Sequence, residues 1–176
     1  MNSKSLLLSL LALMICGTVF ASTNEESKEV LIFRELLTDS LSKGNVVKWT
    51  LPDTLEPDAH MNFYLGVKGD KPKDGYPVFL YLHGSGPRDR EWATGLRLAK
   101  LFQDSPSMYI VPQIPRDREW YRWWQRSKQW AWERILRIIM SMPEVDKNRI
   151  YVFGISEGGY GSQRLASFYA DYWAAA

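Results

Sequence analysis

The 176-residue chain is poor in the residues that build several common kinds of site. It has one cysteine and two histidines, and its net charge is only +2. A single cysteine excludes a disulfide framework or a thiolate metal site, since both need several sulfurs. A near-neutral balance gives no electrostatic footprint for nucleic acid, which calls for clustered lysine and arginine. The main hydrophobic run, Leu6 to Phe20, falls short of the roughly 20 apolar residues that cross a bilayer. Aromatic residues, by contrast, are abundant. Eight Trp, nine Tyr and seven Phe are incompatible with a disordered chain. A hydrophobic fraction of 45% and a charged fraction of 24% suit an ordinary globular domain.

The N-terminal run has the layout of an export signal. Lys4 supplies the positive start and Leu6 to Phe20 the apolar centre, with Val19 and Ala21 at the −3 and −1 positions of a cleavage site. The expectation is a signal peptide over residues 1–21 and a secreted or periplasmic protein. No stable membrane span would remain after cleavage. A lipid anchor on Cys16 is disfavoured, because bulky Ile15 stands where a small residue is usual. Residues 22–44 then read as a leader, polar from Ser22 to Lys28 and amphipathic over Val30 to Leu41, where a short helix is expected.

From Asn45 onward, β-rich runs alternate with helical periodicity. Strands are expected at Asn45–Leu51, Met61–Val67, Val78–Leu82, Met108–Val111 and Arg149–Phe153. Pro52–Asp58, Gly69–Pro77 and Asp146-Lys147-Asn148 read as turns or loops. Helices are expected at Trp92–Phe102, Gln129–Met142 and Tyr160–Tyr169. In the second of these, Ala131, Ile135, Ile138 and Met142 share one stripe, Arg134 and Arg137 take the solvent side, and Pro143 ends it. Strand–helix alternation means parallel pairing through right-handed crossovers, so the fold class is α/β.

Two loops carry chemistry. Gly154-Ile155-Ser156-Glu157-Gly158 is a G-x-S-x-G pattern entered by a buried strand and left by a helix, as a nucleophile elbow requires. Gly154 and Gly158 lack the Cβ atoms that would clash across so sharp a turn. His83-Gly84-Ser85-Gly86 follows an earlier buried strand, the place from which a second oxyanion donor comes. The donors expected are the backbone N–H groups of Glu157 and Ser85, with Gly86 next in line after Ser85. His83, at a strand end ahead of the serine, fits a loop-bracing role better than that of a catalytic base.

Taken together, Leu80 to Gly86 and Asp146 to Gly161 resemble the α/β-hydrolase superfamily, most of all secreted bacterial serine esterases of the polyhydroxybutyrate-depolymerase-like kind. Prolyl-oligopeptidase-type peptidases share much of the pattern. The resemblance runs from about Asn45 to Ala176 and implies an α/β-hydrolase fold, a mostly parallel sheet with flanking helices. It also implies Ser156 as nucleophile. The superfamily triad follows the order Ser, Asp or Glu, His. Here the chain beyond the elbow holds one acid, Asp171, and no histidine, while His60 and His83 both precede the serine. Asp171, at the end of the helix after the elbow, reads as a surface or cap residue. The expectation is therefore that residues 45–176 are the first, C-terminally incomplete part of a hydrolase domain, with acid and base lying further on.

A further motif is repeated. Pro87-Arg88-Asp89-Arg90-Glu91-Trp92 recurs letter for letter as Pro115-Arg116-Asp117-Arg118-Glu119-Trp120, each copy after an expected parallel strand. At that sheet edge α/β folds bind ligands, which makes Arg88, Trp92, Arg116, Trp120, Trp123 and Trp124 a candidate substrate wall. The competing reading is a self-neutralising solvated loop with Trp as a packing anchor, and it is favoured for the repeats. Trp123 and Trp124 are adjacent and cannot both face inward on a helix, which tilts that pair toward ligand contact.

Three functions stay open: an exported carboxylester hydrolase working through Ser156, a peptidase with the same machinery, and a non-catalytic hydrolase relic or carbohydrate-binding module. The short stretch before the first strand favours the esterase over the peptidase. Its substrate would be a small-molecule or polysaccharide-linked ester. No cofactor or metal is implied, and the oligomeric state is not legible.

Overall fold

The computed structural model describes residues 28, 30–39, 47–52, 60–114, 122–123 and 129–176. Helix α1, at 30–39, precedes strands β1 (Val47–Pro52), β2 (His60–Lys68) and β3 (Tyr76–Leu82). Helix α2 (Arg88–Leu101), strand β4 (Ser107–Pro112), helix α3 (Gln129–Ser141), strand β5 (Val145–Gly154) and helix α4 (Glu157–Phe168) follow. The signal peptide expected at 1–21, with Cys16, and the turn expected over Pro52–Asp58, beyond Pro52 itself, fall on residues outside those described. Among the described residues no helix is long and apolar enough to cross a membrane.

The five strands form one sheet in the order β1-β2-β4-β3-β5. The expected parallel pairing holds for β4, β3 and β5, the part that carries the site. Strands β1 and β2 join antiparallel, β1 to β2 and β2 to β4, which makes the sheet mixed. The connection from β1 to β2 is too short for the crossover that a parallel pair needs. Strand β5 begins earlier than expected: Val145 pairs with Tyr76 and Ile150 with Val78, so the intervening residues bulge. The turn chemistry of Asp146 persists inside this bulge, its carboxylate accepting from Asn148 N–H at 3.0 Å and from Arg149 Nε at 2.5 Å.

Alternation along β3 shows why the run Tyr76–Leu82 is apolar throughout. Tyr76, Val78, Leu80 and Leu82 enter one core with Phe33 and Leu37 of α1 and Ala131, Ile135, Ile138 and Ile139 of α3. Tyr81 enters the other, with Trp92, Ala99, Tyr109 and Val111 under α2. A strand with two covered faces has no polar positions to offer. The α3 stripe is buried as the periodicity demands, including Met142 just past the helix end. Helix α1 also belongs to this packed body, since Phe33 and Leu37 are buried and Phe33 stacks on Phe63. The body therefore begins ahead of Asn45, the boundary expected from sequence.

Helices α2 and α4 each start about one turn earlier than the apolar periodicity indicates. In α2 the reason is electrostatic. Pro87 precedes the helix, and Asp89 and Glu91 fall in its first turn, where acids complement the N-terminal dipole. Arg88-Asp89-Arg90-Glu91 is thus helix rather than loop.

Candidate active site

Strand β5 ends at Gly154, and helix α4 starts at Glu157, leaving two residues to reverse the chain. Ser156 takes the strain. Its φ of 55° and ψ of −118° make it the only non-glycine residue with positive φ among those described. Such a conformation costs about 1–3 kcal/mol and persists only where neighbours impose it. They do so here through backbone hydrogen bonds, Gly158 N–H to Ile155 O at 2.9 Å and Gly159 N–H to Ser156 O at 2.9 Å. Space enforces it too: a Cβ on Gly158 would lie 1.9 Å from Leu82 O, and one on Gly154 2.4 Å from Gly158 O. Ser156 itself is exposed, flanked by Ile155 and Tyr160, which are also exposed.

The second loop arrives beside it because β3 and β5 are parallel neighbours, with Leu82 opposite Gly154. A Cβ placed on Gly84 would stand 3.6 Å from Ile155 O and 3.7 Å from Ser156 Cβ. These are ordinary contacts, so Gly84 is not required by space. Gly86 is different: its φ of +148° strains any residue with a side chain, and the Glu91 side chain packs against it. Ser85 and Gly86 are exposed at the mouth of this loop. The Glu157 N–H, at the first helical position, has no acceptor within its own helix. Ser156, Glu157, Gly84 and Gly154 to Gly158 are thus gathered at one end of two adjacent strands.

His83 is buried and both of its ring nitrogens are engaged. Nε2 accepts from Ile114 N–H at 3.1 Å, which leaves Nδ1 to donate to Gly84 O at 2.7 Å. It braces the loop. Burial holds its imidazole below the ordinary histidine range, against a smaller opposing effect of its bond to Gly84. The linkage has a definite sign. Below a pH of about 6.5 the unfolded imidazole takes up a proton that the folded one resists, so stability is lost as pH falls through that region. Urea unfolding between pH 7.5 and 5.5 should show this decline, with a slope of up to about 1.4 kcal/mol per unit, and His83→Gln should flatten it.

The substrate wall is not assembled as expected. Trp92 is 4% exposed, donates to Val111 O at 2.8 Å and stacks on Tyr64. Trp123 is 1% exposed, donates to His83 O at 2.9 Å and contacts Trp132. Both indoles are packing anchors, with their one polar atom satisfied, which corrects their placement against substrate. Arg88 lies on α2, partly buried, with its Nε 3.9 Å from Asp89. Arg116, Trp120 and Trp124, with the whole second copy of the repeat, lie outside the described residues.

Two features escaped sequence reasoning. Gln113, buried, joins three segments: it accepts from Asn62 Nδ2 at 2.8 Å and donates to Asp89 Oδ1 at 2.6 Å. Glu157, singled out only for its backbone, has a buried carboxylate paired with Arg122 at 3.1 Å. Among the described residues no three His, Cys, Asp or Glu side chains converge as a metal site.

Strand order, elbow and flanking helices define an α/β-hydrolase fold, and solved structures agree. The chain is similar to a thermostable esterase, at 24% identity over 75% of this chain and 40% of the other, with a TM-score of 0.54. It is similar also to an acetyl xylan esterase from Aspergillus awamori, at 14% identity over 73% and 50% of the two chains, TM-score 0.55. A fluorophosphonate-binding serine hydrolase of Staphylococcus aureus matches at 15% identity over 74% and 55%, TM-score 0.57. The chain thus spans about half the length of these structures. No family model and no curated protein matches the sequence.

Proposed function

We propose that the protein is an exported serine carboxylester hydrolase forming an acyl-enzyme on Ser156. The observation that carries this reading is the strained, exposed Ser156 at the β5–α4 turn, with the loop after β3 packed against it. In the reaction, Ser156 Oγ attacks the ester carbonyl, and the carbonyl oxygen becomes an oxyanion. In this reading that charge is received by the backbone N–H groups of Glu157 and Ser85. Collapse expels the alcohol, and water then releases the acid from the serine. Exposed Ile155 and Tyr160 beside Ser156 offer apolar surface suited to an acyl or alkyl group.

A hydroxyl needs a base to take its proton. His83 is committed to two hydrogen bonds inside the core and does not serve. In this reading the acid and the base come from sequence after Ala176, in the superfamily's order, and the substrate is a small-molecule or polysaccharide-linked ester. The test is covalent. A fluorophosphonate probe on the complete gene product should place one label per chain, on the peptide containing Ser156. Absence of label, or a label elsewhere, refutes the proposal.

A further inference from the structure

Arg122 and Trp123 are consecutive, and between them they touch both loops of the site. The Trp123 indole N–H donates to His83 O at 2.9 Å, and its ring meets the His83 imidazole edge-on at 4.9 Å. Helix α4 rests directly on the same residue: a Cβ on Gly161 would lie 2.6 Å from Trp123 Cβ. Arg122 Nη1 donates to Glu157 Oε2 at 3.1 Å, and only 5% of the Glu157 side chain is exposed. The second carboxylate oxygen, Oε1, has no hydrogen-bond partner among the described residues.

We infer that Arg122 and Trp123 form a clamp that sets the distance between the two oxyanion donors and cancels the charge of the Glu157 carboxylate. The inference rests on the esterase reading above. Glu157 is called on for a contradictory pair of roles, since its N–H must stabilise an anion while its own side chain carries a buried negative charge nearby. Like charges repel, and a buried carboxylate is less screened by water than an exposed one. The guanidinium removes that opposition, and the indole bond to His83 O ties the opposite loop to the same segment. An ester in its ground state is neutral, so the benefit falls on the transition state and should appear in kcat rather than KM. Both are positioning residues, acting through groups that meet the substrate.

The experiment is steady-state hydrolysis of p-nitrophenyl acetate by the complete gene product, with fluorophosphonate labelling used to count active sites. Arg122→Ala is expected to lower kcat per labelled site about 10²-fold with KM changed less than threefold, a loss of the size seen for one oxyanion donor. Adding Glu157→Gln to that variant should recover about tenfold, because the uncompensated charge is gone. Trp123→Phe keeps a ring over Gly161 and deletes only the N–H, so it should stay folded by circular dichroism and lose kcat about fivefold. Unchanged kcat in Arg122→Ala and Trp123→Phe, or a fall in labelled fraction alone, would make the pair purely structural and overturn the clamp. A loss in Arg122→Ala that Glu157→Gln does not relieve would overturn its charge-cancelling half. A wild-type protein that neither labels nor hydrolyses ester refutes instead the esterase reading, and with it the clamp's catalytic role.

Discussion

Gly158→Ala is expected to cost more than about 4 kcal/mol, enough to keep most of the chain from folding. The added Cβ would lie 1.9 Å from Leu82 O and 2.6 Å from Leu82 C, both of them backbone atoms in the middle of the sheet. A flexible side chain can swing aside, but the end of β3 cannot move without breaking its pairing with β5 at Gly154. The neighbouring glycine supplies the control. A Cβ on Gly159 meets nothing nearer than Gly154 O at 3.5 Å, and the position is helical. Gly159→Ala should be neutral or stabilising by up to about 1 kcal/mol, since alanine has the better helix propensity. Urea midpoints of the two variants, with soluble yield, check the contrast. A Gly158→Ala protein within 1 kcal/mol of wild type would mean that α4 does not approach β3 this closely.

That contrast shows what was legible in the sequence. The G-x-S-x-G spacing singles out Gly154 and Gly158 from Gly159, because a sharp strand-to-helix turn constrains those positions and leaves the third free. Local signals of this sort are legible: the continuous apolar run marks β3 as a doubly covered strand, and the stripe of α3 marks its buried face. Signals that depend on distant partners are not. Arg122 and Glu157 stand 35 residues apart, and nothing in either neighbourhood announces the pair. The antiparallel edge of β1 and β2 is likewise a matter of which strand lies next to which. Tryptophan is ambiguous for a physical reason. Its large apolar ring with a single donor suits a ligand wall and a core equally, and only the acceptors at Val111 O and His83 O settle Trp92 and Trp123 as core. In Arg88-Asp89-Arg90-Glu91, the charges that suggested a solvated loop are the acids that favour a helix start.

The largest effect on activity is expected at Ser156, where function and stability should move in opposite directions. On the esterase reading, Ser156→Ala and Ser156→Gly each remove the only group that bonds to the acyl carbon. The complete gene product should then lose on the order of 10⁴–10⁶ in kcat for p-nitrophenyl esters, as other serine hydrolases do when the nucleophile is deleted. The two variants differ in the backbone. Alanine keeps the Cβ, and so keeps the strain of φ 55° and ψ −118°. Glycine visits that region freely, although it gives the unfolded chain up to about 1 kcal/mol of extra entropy. With about 1–3 kcal/mol of strain released, Ser156→Gly should unfold at higher urea than Ser156→Ala, by about 1 kcal/mol. Retained hydrolysis in either variant would show that another group attacks the ester. Equal or reversed midpoints would show that the elbow stores no strain. On the esterase reading, a serine is held there at an energetic cost because the reaction uses its hydroxyl.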